Sequence, residues 1–473
     1  LEKKKIDNFE SNLIMGVYYI KNSNYDKASF YINKLTDNNQ TTNAQVLLAQ
    51  SIGNWIRLRK TTEINGLKLI NSIPSSFENM KKIQSTLAKC YFNSHQTAQG
   101  FEQLISDKKN NFSRYNFFYA NYLNNQGKIE SSKNIIKESL KLYPKNLILK
   151  QFNEDLKIKN KKIFSNKFNC QNLSHNVAEI FYIVSNALAG QSAFKLSNFY
   201  LNLAKYLNPD FISFDTMLAQ NLNNIDQSKK SKKVYRKILK KGSIYKWYAA
   251  KQITYILIKQ KKKNEAIDYL SKIYKNISSP SVSETYDYAA FLKNNELFEE
   301  SIKYYSKVIN SIKKENTIYA EATDGRGVAY ERIGSWNKAE KDFLASLDAK
   351  PNQPYVMNYL AYSWIEMGMN IDTALKLLKE ANKLKINDGY ITDSLGWALF
   401  KLKKYDDAKK YLQLAIRLMP SDPIVNDHYA DSLWMKGFEI QARYYWNYVL
   451  SLKETKPELK ESIKYKLISG LKI

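Results

Sequence analysis

DGYITDSLGWALFKLKKYDDAKKYLQLAIRLMPSDP, residues 388–423, is the stretch whose reading decides the fold. Leu395-Gly396 is followed twelve residues after the glycine by Ala408, then by Leu412, Ala415 and Pro420. Small side chains at 396 and 408 let two antiparallel helices approach closely. Ala415 does the same where the second helix meets the next unit. Pro420 lacks a backbone donor and disfavours helix in the residue before it, so it punctuates the helix end. Ala430, Ala442, Trp446 and Val449 repeat the pattern downstream. The alanine after the turn returns at 339, 374, 408 and 442, in steps of 35, 34 and 34. One such unit cannot bury its apolar face alone and must stack on copies of itself.

Self-similarity at this period is the signature of the tetratricopeptide repeat (TPR). Residues 388–400, together with the Met-Pro-Ser-Asp-Pro-Ile-Val-Asn-Asp-His run at 419–428, resemble a group of large, often exported proteobacterial TPR proteins. The resemblance is specific over about 320–450 and holds only at the level of the repeat before that. It implies an all-α fold, a TPR solenoid in which antiparallel helix pairs wind into a right-handed superhelix. It also implies an interaction scaffold, because members of this group are known mostly in that role.

Carried backwards, the register places repeats near Pro354, Ala320, Val282, Trp247, Ile212 and Ala178, another from Ser113, and one around Gly16, Ala28 and Ile32. The stretches from about 42 and 81 are degenerate, with Ala49, Ala88 and Gly100 as anchors. Prolines at 74, 144, 209, 280, 351 and 420 fall close to two repeats apart each time. About twelve repeats result. Pro457–Leu471 adds an amphipathic capping helix with Leu459, Ile463, Leu467 and Ile468 on one face. The expected divisions are degenerate repeats at 1–144, an insert at 145–177, basic repeats at 178–280, near-neutral repeats at 281–455 and the cap at 456–473. The insert carries a short helical pattern and then a polar stretch, Lys159 to Ser174, and reads as a hinge or an extra helix pair.

Charge is divided unevenly. Residues 1–280 hold 45 Lys+Arg against 19 Asp+Glu, whereas 281–473 hold 28 against 26. An AT-rich genome would explain abundant lysine and asparagine, but codon bias acts evenly along a gene. Gln227–Asn264 has 14 basic residues and no acidic one. Lys229, Lys233, Lys237 and Lys241 follow one helix face there, joined by Lys230, Lys232, Arg236 and Lys240. A charge run is as a rule a solvated face. The functional alternatives are an acidic protein, an anionic membrane or glycan surface, and nucleic acid. Nucleic acid is the least favoured, because Tyr235, Tyr245 and Tyr248 sit at packing positions and not on a stacking platform.

Enzyme chemistry finds no support. His95, His175 and His428 stand at no metal-ligand spacing, and there is no nucleophile elbow, phosphate loop or dinucleotide fingerprint. His428 adjoins Asp427 and precedes Asp431, yet a polar face on the first helix of a repeat is the simpler account. No cofactor and no metal are expected. Cys90 and Cys170 are far apart and belong to no motif, which excludes a disulfide framework but not an oxidising compartment.

In TPR proteins the first helix of each pair lines the concave groove, mainly through positions 2, 5, 9 and 12. Over the last repeats these positions name Tyr355, Asn358, Tyr362, Tyr390, Asp393, Trp397, Phe400, Asp427, Asp431 and Trp434 as partner-binding candidates. Aromatics supply contact area at low entropy cost, and a carboxylate row favours basic or amide donors. Aspartate at position 5 departs from the TPR type that clamps a terminal carboxylate with basic side chains. Farther upstream, Asn121, Asn124, Asn186, Gln220 and Asn223 suggest an amide-lined groove.

The expectation is therefore a non-enzymatic scaffold or adaptor whose concave groove binds a protein or peptide partner, in a role such as bacterial envelope assembly. The alternative is an adaptor associated with nucleic acid or an anionic surface through residues 227–264. No apolar run reaches the roughly 18–20 residues of a membrane span. Leu1 in place of a methionine fits a removed export signal, hence a periplasmic or membrane-associated location; a cytoplasmic one is the alternative.

Overall fold

A computed structural model describes residues 7–36, 42–107, 109–158 and 164–471. The described residues form 26 α-helices, grouped in two compact units, 1–276 and 277–473.

Four helix pairs open the first unit. They are α1–α2 (Phe9–Lys21, Tyr25–Asn33), α3–α4 (Asn43–Leu58, Glu63–Asn71), α5–α6 (Glu78–Tyr91, Thr97–Ile105) and α7–α8 (Ser113–Asn125, Ile129–Leu142). A single helix follows, α9 (Leu147–Asp155). Three more pairs complete the unit: α10–α11 (Leu173–Gly190, Phe194–Leu207), α12–α13 (Ile212–Asn224, Ser228–Ile238) and α14–α15 (Ser243–Lys259, Lys263–Lys275).

The second unit begins with α16–α17 (Val282–Asn294, Phe298–Ser311) and α18–α19 (Thr317–Arg332, Trp336–Ala349). It continues through α20–α21 (Pro354–Glu366, Ile371–Leu384), α22–α23 (Gly389–Lys401, Tyr405–Leu418) and α24–α25 (Pro423–Met435, Glu439–Ser451). The last helix, α26 (Pro457–Ser469), has no partner after it among the described residues. The described residues thus hold twelve helix pairs, seven in the first unit and five in the second, in an all-α helical-repeat fold, as the register predicts.

Steric demand explains the register. A Cβ on Gly396 would stand 2.7 Å from the Leu412 side chain and 3.1 Å from its backbone nitrogen, so α22 and α23 require glycine at that crossing. In the divergent repeats serine replaces alanine on the second helix, and its hydroxyl donates to a carbonyl of the first. Ser132, Ser197 and Ser231 reach Ala120, Ser185 and Ala219 at 2.7, 2.8 and 2.8 Å. Their polar groups are buried but satisfied. Turns between paired helices use residues at positive φ, among them glycine at 127, 334, 368 and 437 and Lys403 and Asp226.

The insert does more than separate repeats. Helix α9 packs on α7, α8 and α14. Residues after it run extended: Asn166 donates to the Tyr245 hydroxyl at 2.8 Å, and the Phe168 carbonyl accepts from Asn121 at 2.8 Å. Phe164 and Phe168 enter a buried aromatic cluster with Phe117, Phe118, Phe152 and Phe211. Cys170 then joins Cys90 of α5 in a disulfide with Cα atoms 5.8 Å apart, a pairing that the sequence alone left unread. Of the polar stretch expected from Lys159, residues 159–163 lie outside the described residues.

Helices α10 and α11 fold back onto the first repeats, touching α1, α3 and α5. Arg114 of α7 and Glu179 of α10 meet in a buried bidentate pair at 2.8 and 2.9 Å, with the guanidinium 3.6 Å above the Tyr182 ring. No helix among the described residues is long and apolar enough to cross a membrane.

Candidate functional site

In the second unit the first helices of successive pairs stand side by side and enclose a hollow of about 590 Å³ between α18, α20, α22 and the start of α24. Positions one repeat apart supply its walls. Glu331 and Arg332 come from the end of α18, and Asn358, Tyr359, Tyr362 and Glu366 from α20. Tyr390 and Asp393 come from α22, while Trp336 enters from the start of α19. Asp422 closes one end; as N-cap of α24 it accepts from the Ile424 and Val425 amides.

Most polar groups in the wall are already engaged. Glu331 accepts the Tyr359 hydroxyl at 2.8 Å, with Arg332 at 3.5 Å. Glu366 accepts the Trp397 indole at 2.6 Å. Asp393 lies 3.0 Å from His428 Nδ1. Two buried atoms are not engaged: the Trp336 indole nitrogen, a donor, and the Asn358 carbonyl oxygen, an acceptor. A buried polar atom without a partner costs roughly 1–3 kcal/mol, so each such atom in a native fold calls for an explanation. The field in the hollow is negative. Burial, and then the Glu366 and Asp393 carboxylates, push the Tyr362 phenol up.

The ten groove candidates separate into four groups. Asn358, Tyr362, Tyr390 and Asp393 line the hollow. Tyr355 stands exposed outside the lining, its hydroxyl donating to Asp388 at 2.9 Å. Trp397 and Phe400 stack on each other at 4.9 Å, and Trp397 lies flat on His428 at 3.9 Å. Trp397 thus ties α22 to α24, and Phe400 packs on it and on Tyr405 at the start of α23.

Asp427, Asp431 and Trp434 require a correction, because the chain's own last helix covers them. Lys466 of α26 reaches Asp427 at 2.8 and 2.9 Å and both Asp431 oxygens at 2.8 Å. Trp434 packs between Gly470 and Trp446, under the Arg443 guanidinium at 5.0 Å. Ile463 is fully buried, while Ile468, expected on the same face, is 84% exposed. Burial and the neighbouring Asp427 push Asp431 up to about 6. Burial opposes a charge on His428, but Asp393, Asp427 and Asp431 outweigh it and hold the imidazole above its usual value. The His428–Asp393 pair is thus an interior tie, and no metal-binding group of three His, Cys, Asp or Glu occurs among the described residues.

Upstream, the amides do not form one groove. Asn121 is spent on the Phe168 carbonyl, and Asn124 is buried in α7. Asn186, Gln220 and Asn223 do meet, lining a hollow of about 560 Å³ with Phe194, Gln252 and Tyr255. The basic residues behave as one face. Lys229, Lys230, Lys233, Arg236, Lys237, Lys240 and Lys241 are exposed on or just after α13, with no ion pair among the described residues. Lys232 is half-buried and donates to Gln260. Tyr235 and Tyr245 are buried, and Tyr248 partly so, as packing residues.

Glu366 and Trp336 escaped the reading by groove position, whereas Glu331 stands at its position 12. Glu366 sits one residue past the scored position 12, and Trp336 lies on a second helix, which that reading ignores. A run of carboxylates at the ends of first helices was the signal available.

The tetratricopeptide-repeat family model matches residues 393–422. The chain is 26% identical over 172 residues to a TPR repeat-containing protein of Pseudomonas aeruginosa. That match covers 36% of this chain and 28% of the relative, so the chain spans less than a third of the relative's length. Solved structures with a likeness to it include a tetratricopeptide repeat protein from Parabacteroides merdae, at 16% identity and a TM-score of 0.39. The match covers 47% of this chain and 87% of that one. PilF of Pseudomonas aeruginosa follows at 20% identity and a TM-score of 0.34, over 40% of this chain and 86% of that one.

Proposed function

Because the chain is a tetratricopeptide-repeat protein, a fold that generally mediates protein–protein interaction, we propose that it is a non-enzymatic scaffold whose C-terminal groove binds a protein or peptide partner. One observation carries this reading: the hollow lined by α18, α20 and α22 holds an unpaired donor and an unpaired acceptor among aromatic rings. A bound polar segment that reaches both side chains would satisfy both atoms.

The proposal extends to place. The Cys90–Cys170 disulfide favours an oxidising compartment, since such bonds are rare in reducing cytosol. An exported protein of a bacterial envelope fits that chemistry, and envelope assembly is the role we assign to the scaffold. The basic face of α13 would then meet an anionic surface or an acidic protein, with affinity falling as salt rises.

Site-specific photo-crosslinking tests the groove. Tyr390 lines the hollow and is 62% exposed, while Ile440 on α25 is 84% exposed and lies outside it. A benzophenone side chain at 390 should yield a discrete partner adduct in cells, and the same group at 440 should not. Equal labelling at both positions, or none at 390, would count against the groove.

A further inference from the structure

The ligand's chemistry is legible in the walls of the hollow, and the argument rests on the groove reading just given. The Trp336 indole N–H is buried without an acceptor, and the Asn358 side-chain oxygen is buried without a donor. Both residues line the same hollow of about 590 Å³. A peptide unit offers one carbonyl acceptor and one N–H donor, which is the complement of this pair.

Charge decides what flanks that unit. Four carboxylates, Glu331, Glu366, Asp393 and Asp422, line the hollow against one guanidinium, Arg332. Arg332 stands 3.5 Å from Glu331, and Lys401 outside the wall stands 4.0 Å from Glu366, so both glutamates are partly screened. Asp393 is backed by His428. The sum stays negative on the ligand side. A carboxylate-bearing peptide would be repelled there, and a neutral glycan would leave the charges without a counterpart.

We propose that this hollow binds an extended peptide segment carrying a lysine or arginine. One peptide unit of the segment bridges Trp336 and Asn358, and the cationic side chain lies toward Glu331 and Glu366. Tyr359 and Tyr362 supply the apolar contact for the aliphatic stem of that side chain.

Selection from an unbiased phage-displayed library of twelve-residue peptides on the full-length protein tests it. Peptides recovered on the wild type are re-measured on two variants. Asn358→Leu removes the acceptor while keeping the size. The double variant Glu331→Gln/Glu366→Gln keeps acceptors for Tyr359 and Trp397 and removes the charge. The expected result is a consensus with Lys or Arg, bound about tenfold or more weakly by Asn358→Leu. The double variant should lose the preference for Lys or Arg over Met at that position. A consensus that depends on Asn358 but is acidic or uncharged overturns this inference and leaves the groove reading standing. Failure to recover a consensus, or a consensus indifferent to Asn358→Leu, overturns both. Competition by n-butylammonium as strong as that of the selected peptide overturns the assignment of a bridging peptide unit.

Discussion

Replacing Lys466 with methionine removes the cation shared by Asp427 and Asp431 and keeps an unbranched side chain of similar length. The lysine, Asp427 and Asp431 side chains are 11%, 10% and 3% exposed, so little water is at hand to solvate the stranded carboxylates. Breaking one partner of a buried pair costs about 3–5 kcal/mol. Asp431, already pushed up to about 6 by burial and Asp427, sheds part of this by taking a proton. The expected cost is therefore about 3 kcal/mol at pH 7, at the low end of that range, and smaller at pH 5. A solenoid opens locally, so the loss should appear as undocking of α26 and not as a uniform shift in melting. Amide exchange by mass spectrometry reads it directly: residues 457–469 should exchange about 100-fold faster than in the wild type. Adding Asp427→Asn and Asp431→Asn should restore most of the protection, because no charge is then left unpaired. Exchange within threefold of wild type, or a loss independent of pH between 5 and 7, would refute the reasoning.

Cys90 and Cys170 enclose a long stretch of chain, 80 residues apart in sequence, so the Cys90→Ser/Cys170→Ser variant should lose roughly 2–4 kcal/mol in the first unit. Urea unfolding with and without reductant checks this, and a wild-type midpoint unmoved by reductant contradicts it. Burial raises Asp324 to about 6, above the ordinary carboxylate value of about 4. The folded chain then binds more protons than the unfolded one, and stability falls as pH rises through that window. Asp324→Asn should add about 2 kcal/mol at pH 7 and nothing at pH 4, measured by denaturant melts at both values. Gly396→Val places a branched side chain where a Cβ already meets Leu412 at 2.7 Å, and should cost about 1–3 kcal/mol in the second unit.

What the sequence reveals and hides follows the range of each interaction. Gly396, Ala408 and Ala415 are legible because their constraint is steric and repeats at a fixed interval. Ser132, Ser197 and Ser231 keep the small residue that the register asks for, and add what a steric reading does not contain, a hydroxyl that reaches the facing carbonyl. The disulfide was hidden because an irregular connection, with no periodicity to read, brings Cys170 back to α5. For the groove, position counting found Asn358, Tyr362, Tyr390 and Asp393 but assumed every first helix had an open face. The final repeat has none, since Lys466 lies on a helix whose charge pattern gave no hint that one ammonium would be drawn inward. Trp336 was missed because it reaches the hollow from the second helix of its pair.

The central claim is that the hollow keeps polar atoms unpaired for a ligand. Measuring thermal stability and partner affinity together on Asn358→Leu tests it most directly. Because the Asn358 oxygen has no partner in the free protein, an apolar side chain of similar size should leave the melting temperature unchanged or raise it. Affinity for the partner crosslinked at Tyr390 should fall about tenfold or more in the same variant. A variant that binds as tightly as the wild type, or one whose weaker binding is matched by a lowered melting temperature, would contradict the account.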